Sequence, residues 1–266
     1  MAYPLVSIVS IFLNDAMMLN VVMDSILNQS YSPIQHVISI GASKDDSAAL
    51  LKEYEFKYHN NGVKLTWTDK PDKCIAEAYN NCFRLIDGAC EYALILTNPY
   101  MTPDSLKTQM DFLLSGNYDG VFCGAIMQKN NKIIRKLSGG GNPKHWRLGW
   151  QGTTEAFIFS RRVLDETGYF NEVMYAERFG EDFEYFLRIV MSNRWKLGTL
   201  KMPIVNYIGG GNSNTRNLEL AGSFYKVLKD KRVRFAWFTV LCKCLRVVCR
   251  GLVLHKQVPS YMRIDL

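Results

Sequence analysis

Short apolar runs alternate with helical segments through the first hundred residues, and this alternation limits the possible folds more than any other feature. The first run, residues 6–13 (VSIVSIFL), is nearly continuous and rich in β-branched residues, as expected for a strand buried on both faces of a parallel sheet. Further strands are predicted at residues 36–40, 63–68 and 92–96, with helices between them at 17–28, 47–58 and 75–86. The pattern predicts an α/β fold with an open, doubly wound sheet.

The second half of the chain continues with a more mixed pattern. Strands are predicted at residues 120–125 and 156–160, a polar hairpin at 127–135, and helices at 103–114, 162–167 and 181–192. The Gly-rich residues 138–143 are predicted to form a loop. We expect one Rossmann-like domain with a mixed sheet, residues 1–228, followed by a tail, residues 229–266.

Four loops of this fold are the candidates for ligand binding. In open α/β sheets, ligands bind beyond the carboxyl ends of the parallel strands. The segments that follow those predicted ends are residues 12–15, 41–47, 68–73 and 97–103. A ligand site is therefore expected along this edge.

The charge of the chain is concentrated at its end. Residues 229–266 hold nine Lys and Arg against two Asp and Glu, which accounts for the whole net charge of +7. A nucleic-acid-binding domain would spread basic residues over a folded face, so no nucleic-acid partner is expected. The seven cysteines include no pair of CxxC units, which argues against a disulfide framework or a zinc site and favours a reducing cytoplasm.

The tail has the pattern of an amphipathic helix that lies on a membrane. Its basic residues fall on one face of a helical wheel and its apolar residues cover the rest; they are Arg232, Lys243, Arg246 and Arg250, against Phe235, Trp237, Phe238, Leu241, Leu245, Val248 and Leu252. Charges in the middle of the segment disfavour a bilayer span. We expect peripheral attachment to a membrane; alternatively, the apolar face packs on the domain or on a second copy in a homo-oligomer.

Several motifs, in order along the chain, resemble family 2 glycosyltransferases. Residues 25–31 (SILNQSY), with Ile34 to His36, are similar to the family stretch S-I-L-N-Q-T-Y-x-x-I-E, and residues 69–79 (DKPDKCIAEAY) to S-E-P-D-K-G-I-Y-D-A-M. Residues 180–188 (GEDFEYFLR) resemble the E-D motif on the acceptor side, and residues 208–213 (IGGGNS) the G-G-x-S loop that follows it. The resemblance runs from about Pro4 to Asn214.

The resemblance implies a GT-A fold and inverting transfer of a sugar from a nucleotide sugar to a glycan or lipid-linked acceptor in surface polysaccharide synthesis. It places Asp182, with Glu181, at the catalytic base; acidic residues in a first helical turn can also simply cap the helix. The residues that it implies for binding the nucleotide sugar are Phe12, Asn14, Ser43, Asp69, Pro71, Asp72, Lys73, Asn80 and Asn98. Those that it implies for the acceptor are Trp150, Gln151 and Thr153.

The acidic metal motif of the family is missing. The family ends its fourth strand with D-x-D, N-A-D-D or N-P-D, whereas residues 94–100 read LILTNPY. Tyr100 or Asn98 stands where the metal-binding Asp is expected, and an Asn carbonyl is a much weaker ligand for Mg²⁺ or Mn²⁺ than a carboxylate. A second family motif, D-G-G-S, is replaced by Ile40-Gly41-Ala42-Ser43. No residue is assigned as a metal ligand.

Two hypotheses follow from this departure. In the first, the chain is an enzyme that stabilises the leaving diphosphate with Lys70, Lys73, backbone amides or an arginine. In the second, it is a non-catalytic GT-A-like subunit that binds or scaffolds. The presence of the P-D-K segment and of Glu181-Asp182 favours the enzyme, whereas the loss of both acids on the nucleotide side favours the scaffold. We expect the enzyme.

Overall fold

The computed structural model describes residues 3–129, 132–137, 155–172, 180–208, 217–232 and 237. The first half is a regular alternation of strands and helices. The strands are β1 (Val6–Ile11), β2 (Ile34–Ser39), β3 (Val63–Thr68) and β4 (Tyr92–Ile95), and the helices are α1 (Ala16–Leu27), α2 (Ser47–Asn60), α3 (Ile75–Arg84) and α4 (Ser105–Ser115). The strand order β3-β2-β1-β4 is parallel throughout. The doubly wound prediction is confirmed.

The second half extends this sheet with strands of both directions. Its elements are β5 (Gly120–Lys129), β6 (Lys132–Leu137), β7 (Ile158–Ser160), α5 (Arg161–Thr167), α6 (Glu181–Met191), β8 (Leu197–Ile208) and α7 (Asn217–Asp230). Strand β7 pairs antiparallel with β4 and with the start of β5, and β6 pairs antiparallel with the end of β5. Strand β8 runs parallel to β5. The mixed sheet that was predicted is therefore present.

The apolar pattern of β1 explains how both faces of the sheet are covered. Val6 and Ile8 point into a core shared with α1, α2 and α4, whereas Val9 points into the core on the other face, under α3 and α6. Successive side chains of a strand point to opposite faces, so a strand buried on both faces must be apolar at nearly every position. The sheet thus holds its carboxyl edge between two packed layers.

Aromatic rings hold α6 against the second face. Tyr185 stacks on Phe170 with ring centroids 4.2 Å apart, and Phe186 meets Phe157 edge-on at 5.1 Å. Arg188, one turn further along α6, donates to the carbonyls of Thr167 and Tyr169 at 2.7 and 2.9 Å. These contacts position the first turn of α6, which carries the candidate base.

Strand β8 and helix α7 have no counterpart among the predicted elements. Pro203 and the exposed Lys201 and Met202 interrupt the pattern of β8, and proline inside a run normally argues against a strand. The structure accommodates them with register shifts opposite Gly124. A Cβ on Gly124 would come within 3.0–3.2 Å of three backbone carbonyls, those of Leu137, Met202 and Lys201, so only glycine permits this close approach.

Most of the tail lies outside the described residues. Among those described, no helix is both long enough and apolar enough to cross a membrane. The predicted amphipathic helix, the Gly-rich loop at 138–143 and the 209–213 part of the G-G-x-S loop fall outside the described ranges.

Candidate functional site

The loops after β1 and β2 are locked together by Asn14 and Ser43. The Asn14 N–H donates to Oγ of Ser43 at 2.8 Å, and Oδ1 of Asn14 accepts from the N–H of Lys44 at 2.8 Å. Asn14 adopts a φ of 53°, a left-handed conformation that asparagine tolerates better than most residues. Asn14 and Ser43, which were both predicted to bind the nucleotide, therefore fix the conformation of two loops at the carboxyl edge of the sheet. We call these loops the rim.

Asp72 lies beside this rim in the loop after β3. Its carboxylate accepts from Oγ of Ser39 at 2.8 Å and from Nδ2 of Asn81 at 2.7 Å. Oδ2 would be only 3.3 Å from a Cβ on Gly41, and the exposed Leu13 would be 3.4 Å from the same point. Asp72 and Leu13 thus lie close to Gly41 at this edge, and we call the surface that these three residues form the Asp72 slot.

Two lysines stand near the Asp72 slot. Lys70 and Lys73 are exposed on the loop between β3 and α3, together with Asp69 and Pro71. Within the described ranges, the ammonium group of Lys73 makes only a long ion pair with Glu77, 3.9 Å between Nζ and Oε1, and the side chain is 88% exposed. No acid among the described residues lies within ion-pair distance of Lys70. Both ammonium groups are available to an anionic ligand.

The end of β4, where the family motif holds metal, is closed by protein contacts. Oδ1 of Asn98 accepts from the N–H of Ile208 at 3.0 Å, while Nδ2 donates to Oε1 of Glu155 at 3.1 Å. Tyr100 is buried in the core with Leu106. Neither side chain offers a free oxygen at the edge.

These residues do not fit a divalent metal ion. Mg²⁺ and Mn²⁺ require hard oxygen ligands, mostly carboxylates, and here the amide oxygen of Asn98 is engaged and Tyr100 points into the core. No group of three or more His, Cys, Asp or Glu able to hold a metal occurs within the described ranges.

Glu155 brings a carboxylate to the end of β4 from the segment before β7. Its oxygens accept from the N–H of Thr97 at 3.0 Å and from the hydroxyl of Thr97 at 2.5 Å, besides the amide of Asn98. Burial raises the pKa of Glu155, and these hydrogen bonds oppose the rise.

Asp182 and Glu181 form the first turn of α6. Glu181 is buried, whereas Asp182 is partly exposed and accepts from the N–H of Phe183 at 2.7 Å. Burial raises the pKa of both carboxyls, and the neighbouring Asp182 charge raises that of Glu181 further. The hydrogen bond from Phe183 opposes this rise for Asp182 by favouring its ionised form.

Two other residues predicted to bind the nucleotide sugar, Phe12 and Asn80, are buried. Phe12 is buried in the core, so only its backbone borders the edge. Asn80 is also buried, and its amide is used by the backbone N–H and C=O of Phe170 and by Glu172. Because both amide donors of Asn80 are used within the protein, Asn80 has no donor available to a ligand.

The residues predicted for the acceptor, Trp150, Gln151 and Thr153, lie outside the described residues. Conversely, sequence reasoning missed Glu155, Ser39 and Asn81. Glu155 stands directly before a predicted apolar strand, but so do Glu91 and Asp119. The sequence therefore did not single it out, because the pairing of β7 with β4 is not visible in the sequence.

The model of the glycosyl transferase family 2 matches residues 7–169 of the chain. No curated protein matches the sequence.

Solved structures share the fold at low identity. S. aureus TarS 1–349 is 12% identical with a TM-score of 0.62, covering 97% of this chain and 67% of that one; the chain spans 40% of the longer TarS structure. The mannosyltransferase PcManGT from Pyrobaculum calidifontis, in complex with GDP-Man and Mn²⁺, is 14% identical with a TM-score of 0.61, covering 96% of this chain and 76% of that one.

The family model spans more than half of the chain, and the GT-A fold agrees with it. The chain therefore belongs to glycosyl transferase family 2 and is a glycosyltransferase.

Proposed function

We propose that the protein transfers a sugar from a nucleoside-diphosphate sugar to an acceptor hydroxyl with inversion at the anomeric carbon. The observation that carries the proposal is the partly exposed carboxylate of Asp182 in the first turn of α6. In this reaction Asp182 takes the proton of the acceptor hydroxyl, the oxygen attacks the anomeric carbon, and the nucleoside diphosphate leaves from the opposite face.

Asp182 suits this role better than Glu181. A general base must be ionised near the working pH and must reach the substrate. Glu181 is buried, and the charge of Asp182 holds its proton on, whereas Asp182 is partly exposed and its ionised form is stabilised by the N–H of Phe183. Two carboxyls whose environments separate their protonation states are typical of acid–base sites.

The nucleotide is proposed to bind at the Asp72 slot. A carboxylate held by Ser39 and Asn81 can accept from the N–H of a uracil, thymine or guanine ring, and Leu13 supplies an apolar wall for the base. Lys70 and Lys73 are proposed to neutralise the diphosphate. Structures similar in fold were solved with UDP-GlcNAc and with GDP-Man, which supports a nucleotide-sugar donor.

The acceptor is proposed to be a glycan or a lipid-linked sugar of surface polysaccharide synthesis, reached on the cytoplasmic side of a membrane. The support is the basic, apolar sequence of residues 229–266, because each basic residue near an anionic surface contributes about 1 kcal/mol. Flotation with liposomes containing phosphatidylglycerol tests the attachment. Replacing Lys243, Arg246 and Arg250 by Glu should abolish it, and unchanged flotation would contradict the proposal.

Calorimetry with UDP, GDP and dTDP sugars, each with and without Mn²⁺, tests the donor site. We expect at least one donor to bind with the same affinity in both conditions. No binding by any of them would contradict the proposed donor site.

Transfer itself is tested with Asp182→Asn, after the donor is identified. Removal of a general base lowers kcat by about 10²–10⁴-fold, while donor affinity should stay within about twofold because the Asp72 slot is untouched. Glu53→Gln, an exposed carboxylate on α2, serves as the control. Full activity of Asp182→Asn would refute the proposed base.

A further inference from the structure

Helix α7 packs against the residue at which α6 begins. A Cβ built on Gly180, which directly precedes α6, would lie 3.4 Å from the Cβ of Ser223 and 3.8 Å from Cγ2 of Val227. Gly180 has a φ of 113°, a backbone conformation that glycine adopts without strain. One end of the turn that carries Asp182 is therefore in contact with α7.

The other end of the same turn is held by an ion pair. Nζ of Lys231, which directly follows α7, lies 2.5 Å from Oε1 of Glu184, and the Glu184 side chain is 3% exposed. The N–H of Glu184 donates to the carbonyl of Gly180 at 2.9 Å, so Glu184 closes the first turn of α6. The residue that completes the turn around Asp182 is thus fixed by a cation at the end of α7.

Glu184 is a buried carboxylate between two cations. Its Oε2 pairs with Arg188 at 3.0 Å, and its Oε1 pairs with Lys231. A buried ion pair often adds little net stability compared with packed apolar side chains, but it requires one specific geometry of its two groups. Arg188 belongs to α6 itself and binds carbonyls at the end of α5, whereas Lys231 joins α6 to α7.

Apolar side chains of the two helices share one core. Val227 and Leu228 of α7 belong to the same buried cluster as Phe183 and Leu187 of α6, and each of the four is at most 1% exposed. Phe183 directly follows Asp182 and donates its N–H to Oδ1 of Asp182 at 2.7 Å. The residues on both sides of Asp182 are therefore tied to a core to which α7 contributes.

We infer that Lys231 is a positioning residue for Asp182: its ion pair with Glu184, together with the packing of α7 on Gly180, fixes the turn that presents the carboxylate to the acceptor. The inference rests on the proposed role of Asp182 as base. Displacement of a reacting group by about 1 Å can lower a rate by about 10²-fold. Weakening the contact with α7 should therefore lower turnover without lowering donor affinity.

Amide hydrogen exchange of the full chain, followed by NMR, tests the positioning without any substrate. In Lys231→Met, the N–H groups of Phe183 and Glu184 should exchange at least about tenfold faster than in the wild type, because the turn opens locally. The N–H of Val190, at the other end of α6, measures any general loss of stability and should accelerate less. Lys231→Arg keeps the charge and should restore most of the protection. Lys57→Met, which breaks an exposed pair with Glu53 on α2, should leave the turn unchanged.

Turnover is compared once the donor is known and Asp182→Asn has lost activity, so that a failure of the proposed base is distinguished from a failure of this inference. Release of the nucleoside diphosphate from that donor, with water as acceptor, measures kcat. Lys231→Met should lower kcat per folded molecule at least about tenfold and change KM for the donor by less than about twofold. Lys231→Arg should recover most of kcat, and Lys57→Met should retain it.

Val227→Ala provides a second route if Lys231→Met does not fold. It removes the methyl groups beside Gly180, so it should also accelerate exchange at Phe183 and lower kcat. Val163→Ala, at a buried position of α5 in the same core, removes the same atoms and should do neither per folded molecule. Unchanged exchange of the turn or unchanged kcat in either folded variant, or equal effects of Val227→Ala and Val163→Ala, would overturn the inference.

Discussion

Oδ1 of Asn98 accepts a 3.0 Å hydrogen bond from the N–H of Ile208, and Nδ2 of the same amide donates to Glu155 at 3.1 Å. One neutral side chain therefore joins the ends of β4 and β8 and satisfies a carboxylate. An acid at this position, as the family motif would supply, would face Glu155 with a like charge.

Asn98→Asp should therefore destabilise the fold at neutral pH. The two carboxylates raise each other's pKa in the folded state above the unfolded value, so the lost stability returns as pH falls towards 4.5 and the loss is largest above pH 7. We expect about 1–3 kcal/mol at pH 7.5 from urea unfolding. Asn193→Asp, at an exposed left-handed position, should stay within about 0.5 kcal/mol; equal effects of the two would contradict the prediction.

Gly41→Ala should weaken donor binding. A methyl group there would come within 3.3 Å of Asp72 and 3.4 Å of Leu13, so it would fill the Asp72 slot, and we expect at least about a tenfold loss of affinity for the identified donor by calorimetry. Gly62→Ala is the matched control: its φ of +70° resembles the +56° of Gly41, but nothing lies within 4 Å. Each variant should lose about 1 kcal/mol of stability, and only Gly41→Ala should lose binding.

Arg188→Met should destabilise the packing of α6 against the end of α5. Arg188 donates to the carbonyls of Thr167 and Tyr169 and pairs with the buried Glu184 at 3.0 Å. Its removal leaves those carbonyls unpaired and Glu184 with Lys231 alone, so urea unfolding should show a loss of about 2–4 kcal/mol. Arg194→Met breaks an exposed pair with Glu166 and should cost less than about 1 kcal/mol. Similar losses for both would refute this role of Arg188.

His36 should make stability depend on pH below 6.5. It is buried between the hydroxyls of Ser10 and Tyr58, at 2.8 and 3.0 Å, and burial lowers its pKa to about 3. Between pH 6.5 and 3 the unfolded chain takes up a proton that the folded chain does not, so the free energy of unfolding falls as pH falls, by up to about 1.4 kcal/mol per pH unit.

Urea unfolding at pH 7, 6 and 5 measures this slope. His36→Gln should be less stable than the wild type at pH 7. Its free energy of unfolding should also fall less steeply with falling pH, because the proton taken up by His36 no longer contributes. Tyr58→Phe, which removes one hydrogen-bond partner and keeps the imidazole, should retain it. Parallel slopes for wild type and His36→Gln would show that His36 does not titrate in this way.

The sequence was sufficient for the parallel half of the sheet because its signal is local. The apolar runs at β1 to β4 and the helical spacing between them depend on neighbouring residues, and most predicted bounds agree with the structure to within about two residues. Strand β8 was not predicted because Pro203 and its exposed neighbours argue against a strand. They are accommodated only by the register shifts opposite Gly124 of β5, which the sequence does not reveal.

By itself, the sequence determined the doubly wound fold, the edge at which a ligand is expected, and the family, through motifs that each lie within about ten consecutive residues. The family's acid is missing after Leu96, and only the tertiary structure decided which groups occupy that end of β4. The pairing of β7 with β4 brings Glu155 beside Thr97, 58 positions away in the chain, and β8 supplies the N–H that occupies Asn98. Such contacts depend on which strands become neighbours, and burial of the whole apolar surface settles that choice rather than any local pattern.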